Sequence, residues 1–270
     1  MYKLSFWAFA LLAFLFVVPA CDHKHDDDED IKGFGSVEIE FDNQANGSSL
    51  IFGQTYTNAA GESLQFTTLD YYISNVVLTK SDGTRFVVPK DKSYFLCKHD
   101  VTASKTIKID DVPAGDYTGL EFVVGVDSAK SVSPIGERTG VLDPAGEANG
   151  HYWSWNSGYI FLKMEGTSPV APAGSGNIFQ YHVGLFGGFN SPTLNNLKTI
   201  KLSVPAEAAR VRENHEAPHF HLYVDAMAIF STPTVVSIAA NPFSHGDAFS
   251  STLSANYAAD MFVIDHVHNH

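Results

Sequence analysis

In Val37-Glu38-Ile39-Glu40-Phe41 apolar and acidic residues take turns, the period-two pattern of a strand with one face in a core and one in water. Runs rich in β-branched and aromatic residues recur over 71–79, 106–109, 119–124, 159–164, 179–183, 198–204, 219–226 and 262–268. Each is bounded by Gly, Pro, Asn or Asp, which is how strands and turns alternate in all-β chains. Ser81-Asp82-Gly83-Thr84 carries turn chemistry ahead of Arg85 to Val88, so a hairpin is predicted there. Helical expectation is confined to 206–211 and to the Ala-rich, Pro-free stretch 248–260. The pattern predicts an all-β fold, an antiparallel β-sandwich with one or two short helices, formed by a single domain over 35–270. The Gly- and Pro-rich stretch 170–176 reads as a loop inside that domain.

The N-terminal end follows another logic. Lys3 precedes the apolar run Phe6 to Val18, which falls short of the ~20 apolar residues of a spanning helix and ends in small residues before Cys21. Residues 1–20 therefore read as a signal peptide. Val18-Pro19-Ala20-Cys21 has the shape of a bacterial lipobox, which makes Cys21 the expected lipidation site and membrane anchor. Residues 21–34 carry six acids against one lysine between Asp22 and Asp30, and are expected to be a solvated tether. An acidic stretch directly behind the lipid cysteine also resembles the lipoprotein export signal of the Bacteroidetes; a plain spacer is the alternative. The expected location is the outer membrane, on its periplasmic or cell-surface face.

The formal charge of −13 is partly this tether, and the rest of the chain is acidic too, which argues against nucleic acid as a partner. With Cys21 lipidated, Cys97 has no partner for a disulfide, and its place in Tyr94-Phe95-Leu96-Cys97 suits a buried strand residue. No phosphate-binding Gly-Lys loop, nucleophile elbow, paired-cysteine zinc knuckle or HExxH helix is present, so an enzyme is not expected.

The chemistry lies in the histidines and tryptophans. In an extended Gly150-His151-Tyr152-Trp153-Ser154-Trp155 segment, His151, Trp153 and Trp155 project to one side. His182 sits in Gln180-Tyr181-His182-Val183-Gly184, and two further groups are His219-Phe220-His221 and His266-Val267-His268-Asn269-His270. Histidines two apart on a strand point the same way and can clamp one ion, and neutral imidazole suits copper or zinc. His23, His25, His99, His215 and His245 stand alone in the sequence and read as ordinary core or surface groups.

At these residues the chain resembles the MbnP-like family, the methanobactin-associated copper-binding proteins that also occur as lipoproteins of Bacteroidetes. The landmarks are Leu69-Asp70-Tyr71-Tyr72-Ile73-Ser74-Asn75, Val112-Pro113-Ala114-Gly115-Asp116-Tyr117, Phe122 to Asp127, Gly140-Val141-Leu142-Asp143-Pro144, Tyr152 to Tyr159, Tyr181-His182-Val183-Gly184 and the His266-Val267-His268 tail. The resemblance implies a copper-binding protein without catalytic activity. It further implies His182 as a ligand, and Trp153 or Trp155 as a residue open to oxidation to kynurenine by a partner di-haem oxidase. His151 stands where the family pattern has Met, and no Cys follows His182-Val183-Gly184.

Together these readings predict an extracytoplasmic copper-binding lipoprotein that captures or handles Cu+ or Cu2+ and passes it to a copper transporter. His182, His266 and His268 are the expected ligands, with His151 as a further one, and zinc competes for the same imidazoles. A different class stays open: a cell-surface sandwich that binds a glycan or a protein, with Tyr152, Trp153 and Trp155 as a stacking platform.

Overall fold

The computed structural model describes residues 31–154 and 158–270. The segment expected to be a signal peptide, Cys21, most of the expected acidic tether and Trp155 lie outside the described residues. In chain order the strands that frame the site are β1 (Phe34–Ala45), β2 (Ser63–Lys80), β3 (Thr106–Pro113), β4 (Gly115–Val124), β5 (Gly158–Thr167), β6 (Ile178–Gly184), β7 (Lys198–Ser203), β8 (His219–Asp225), β9 (Phe243–His245) and β10 (Phe262–His268). The helices are α1 (Ser128–Ser131) and α2 (Ser250–Asp260).

One sheet runs β10-β8-β1, with β3 also pairing β1, and the larger sheet runs β7-β4-β2-β5-β6-β9. Alternation explains how they pack. Val37, Ile39 and Phe41 of β1 and Phe220, Leu222 and Val224 of β8 share one core with Phe179, Tyr181 and Val183 of β6. Because successive side chains leave a strand on opposite faces, Glu38, Glu40, His219 and His221 are turned outward on the first sheet. Gln180 and His182 are turned outward on the second.

The sandwich and the helix over 248–260 are as expected, whereas the purely antiparallel arrangement is not. β1 pairs parallel with β8 and β6 pairs parallel with β9, so both sheets are mixed. A parallel pair needs a long crossover, and β1 and β8 are separated in the chain by most of the larger sheet. The helix expected over 206–211 is overturned: Ala209–Val211 is a strand paired with Tyr117, Asp116 and Gly115. Ala209 and Val211, two apart, are both buried, which is a strand's period rather than a helix's. Cys97 is fully buried, and burial pushes its thiol pKa well up, in keeping with a small apolar core residue.

A second, smaller apolar cluster lies on the outer side of the larger sheet, built from Tyr72, Val126, Leu142, Ala148, Tyr159, Phe161 and their neighbours. It explains why Leu69 to Ser74 is buried without interruption, since both faces of β2 are covered there. The covering segment is tied down by Tyr72 Oη donating to Val141 O at 2.7 Å, Tyr159 Oη to Leu142 O at 2.6 Å, and Ser74 Oγ to Gly125 O at 2.6 Å. Asp127 caps α1 and accepts from Asn75 Nδ2 at 3.0 Å and Tyr94 Oη at 2.8 Å. This clamped segment ends in Tyr152–Trp153, a short strand paired with Gly158 and Tyr159.

Candidate metal centre

β6 exists because Phe179, Tyr181 and Val183 alternate into the core, and that same alternation sends His182 to the outer face. β9 lies parallel beside it, with His182 in direct register with His245. Ser244 is buried, so Phe243 and His245 share the outward side with His182. The rings of His182 and His245 come together with centroids 4.6 Å apart and planes inclined by 43°.

Trp153 lies against the same spot. A Cβ at Gly184 would stand 2.6 Å from Trp153 Cζ3, and one at Gly246 would stand 3.3 Å from it. Each histidine thus has a glycine beside it, in His182-Val183-Gly184 and His245-Gly246, and the missing side chains make room for the indole. At Gly246 a φ of +78° favours glycine as well.

A carboxylate fixes the chemistry of the His182 ring. Nε2 of His182 is 2.6 Å from Glu165 Oε1, and Glu165 also accepts from Thr68 Oγ1 at 3.2 Å and Gln180 Nε2 at 3.3 Å. The hydrogen bond with His182, against the effect of partial burial, holds the Glu165 carboxyl down to about 2. An ionised carboxylate only accepts, so Nε2 carries the proton of this hydrogen bond, and it is Nδ1 that presents a lone pair in the neutral ring. Carboxylate-oriented imidazole is the usual support of a histidine metal ligand. Burial, followed by the neighbouring His182, lowers the pKa of His245 and favours the neutral form that metals require. The donor set fits a soft or borderline ion, with two imidazoles on the outer face and the Trp153 indole packed against the neighbouring glycines.

The remaining predicted ligands are placed elsewhere. His151 is buried, with Nε2 2.9 Å from Asp70 Oδ2 and Nδ1 3.3 Å from Asn149 O, so both ring nitrogens are engaged. Asp70 pairs with Lys163, and Lys163 in turn with His182, which puts the Asp70–His151 pair two strand positions from His182 on the same face. His266 and His268 stand opposite His221 and His219 on the outer face of the first sheet, with the core between them and His182. The structure therefore gathers His182, His245 and Trp153 and does not bring His151, His266 or His268 to them. Trp155 is outside the described residues. Tyr152, expected in a stacking platform, instead packs edge-on against Tyr159 with centroids 5.1 Å apart and accepts from Arg138 at 2.7 Å.

Sequence reasoning passed over His245 and Glu165. The glycine following His245, matching the one two places after His182, was the signal for the first. Glu165 and His182 meet only through the β5–β6 pairing, where Glu165 is opposite Gln180 and two positions from Lys163, the residue opposite His182.

No curated protein matches the chain in sequence. Among solved structures, "MbnP from Methylosinus trichosporium" is similar at a TM-score of 0.48 and 16% identity, covering 80% of this chain and 82% of the other. The MbnP family model matches residues 34–247, from the first strand of the sandwich through the β6–β9 pair that carries His182 and His245. Over that length, which is most of the protein, the chain belongs to the MbnP family.

Proposed function

We propose that this chain binds copper as cargo outside the cytoplasm, with His182 and His245 as its nitrogen ligands and Trp153 as the wall of the site. The observation that carries the reading is the facing of two imidazoles across a parallel strand pair, one of them oriented by Glu165. Family membership points the same way, because the resemblance implies copper handling in the MbnP group. Imidazoles with no hard oxygen ligand of their own suit Cu+. Trp153, which packs against Gly184 and Gly246 beside the two histidines' strands, is the residue this reading assigns to a di-haem oxidase. In this reading Cys21 anchors the protein to the outer membrane, and the bound ion is captured there or passed to a copper transporter.

Titration of tag-free protein with Cu+ against a colorimetric chelator, under reductant, is expected to show about one tightly held ion per chain. His182→Ala and His245→Ala should each abolish it, while His151→Gln should leave it in place. Retention of Cu+ by the His245→Ala protein would remove the proposed ligand pair. Tighter holding of Zn2+ than of Cu+ at His182 would reassign the metal. Mass spectrometry of the Trp153 peptide from the native host tests the modification alone, since an unaltered mass discards kynurenine without touching the imidazole pair.

A further inference from the structure

The opposite face of the molecule carries a second constellation of ligand type. His221 of β8 is paired with His266 of β10, and the register between the strands then slips, so that Leu222 pairs with Ile264. Asp265 is the extra residue of a β-bulge, and bulges turn a side chain from the face that alternation would give it. Here the bulge sets Asp265 beside its own neighbour: Asp265 Oδ2 is 2.7 Å from His266 Nδ1 and 3.5 Å from His221 Nδ1. The His221 and His266 rings lie with centroids 4.9 Å apart. One ligand atom from each of the three residues falls within 4.8 Å of the others.

β1 supplies a second carboxylate from the other side. Glu40 is in register with His221, and its Oε2 is 3.4 Å from His219 Nε2 and 3.9 Å from His221 Nε2. Two ring nitrogens of this face, His219 Nε2 and His221 Nδ1, are buried and have no hydrogen-bond partner. A buried donor or acceptor left without a partner is costly, and here His219 Nε2 and His221 Nδ1 stand 3.4 and 3.5 Å from carboxylate oxygens of Glu40 and Asp265 without hydrogen-bonding to them. Ligand atoms held about 2.0–2.1 Å from a tetrahedral ion stand about 3.4 Å from one another, close to the 3.5 Å between His221 Nδ1 and Asp265 Oδ2, while the 2.7 Å between Asp265 and His266 would open on binding.

We propose that His221, Asp265 and His266 form a second metal site, on the face opposite His182, for a zinc-type divalent first-row cation. The bulge at Asp265 builds the site, and the ion takes the place of the proton that His266 and Asp265 share. Mixed imidazole and carboxylate ligands suit Zn2+ or Cu2+ and are poorly matched to Cu+, so the two faces differ in the charge and softness of what they hold. Glu40, beside His219 and His221, adds the negative charge that favours a dication. The inference does not depend on the copper reading.

The test is calorimetric titration with Zn2+ of tag-free protein carrying His182→Ala and His245→Ala, which removes the pair on the other face. One saturable Zn2+ is expected. His221→Gln and His266→Gln should each weaken it by at least tenfold, within the about 10–100-fold range typical of losing groups at a metal site. Asp265→Asn, which preserves size, should weaken it severalfold, and His270→Ala should change nothing. His266 is exposed on a surface strand, and far-UV circular dichroism and the metal-free urea midpoint check that each variant keeps its fold. Unchanged affinity in His221→Gln would overturn the proposal. So would loss of binding in His270→Ala, which would put the ion on the His268–His270 pair, whose rings lie 4.7 Å apart.

Discussion

Glu165 illustrates how much a single contact decides at the site. Its carboxylate selects which nitrogen of His182 carries a proton, and so which one can meet a metal. Glu165→Gln keeps the size but allows either tautomer, and the expected result is a Cu+ affinity lower by about 10–100-fold with the fold retained, read by chelator competition and circular dichroism. Gly184 makes the complementary case for space. An added Cβ would press on Trp153 and also stand 2.6 Å from the carbonyl oxygen of Tyr159, which is backbone and cannot swing away. Gly184→Ala should therefore cost about 1–3 kcal/mol in urea unfolding and shift the tryptophan emission as the indole moves. Neither role is legible in the local sequence: alternation sends Gln180 and His182 to one face, but nothing nearby in the chain says that Glu165 will lie across from them.

At the scale of elements, the strands with one wet face were the legible ones. β1, β6 and β8 read correctly because their core residues alternate with polar ones, and the register of the sheet then follows from burying one face. Leu69 to Ser74 is a different kind of strand, covered on both sides, and its uninterrupted burial, Asp70 and Ser74 included, reflects the second cluster. Ala209–Val211 shows the reverse failure, where good helix formers yield to a strand because the β4 edge offers backbone partners. Helix α2 is placed by polar contacts as much as by its apolar residues. Asn256 Nδ2 donates to Ile229 O at 2.8 Å and Thr234 O at 2.7 Å, and its Oδ1 accepts from Thr234 N at 3.1 Å. Asn256→Ala strips partners from three buried or half-buried backbone groups, and the expected loss is about 1–3 kcal/mol in the urea midpoint analysis.

For the molecule as a whole, acid sensitivity is a consequence of carboxylates used as clamps. Burial pushes the Glu62 carboxyl up, but hydrogen bonds from Asn58, Ser237 and the Ile238 and Ala239 amides outweigh it and hold the group below its ordinary value of 4.5. Asp127 is treated alike, with burial opposed by Asn75, Tyr94 and the Lys130 amide. A carboxyl with its folded-state pKa below the unfolded one stabilises the fold fully above the unfolded value, and loses that contribution as pH falls through the folded one. Urea midpoints should therefore be flat from neutral pH to about 5 and fall below it. In Glu62→Gln the fall should be shallower, and an equally steep fall would show that the clamp is not a source of acid lability.

The sequence by itself determined the strand-rich class, the face that each alternating strand turns to the core, the family landmarks, and the presence of metal-competent imidazoles on outward faces. These are local properties, carried by the period of side chains along one strand and by the residue types within a few positions of one another. Only the tertiary structure decided which imidazoles meet. His182 finds His245 through a parallel pairing, His221 finds His266 and Asp265 beside a bulge, and His151 is taken by Asp70. Strand order, register and bulges arise from long-range pairing, and a sandwich with a packed core between its sheets keeps the two histidine faces apart however similar their sequences look.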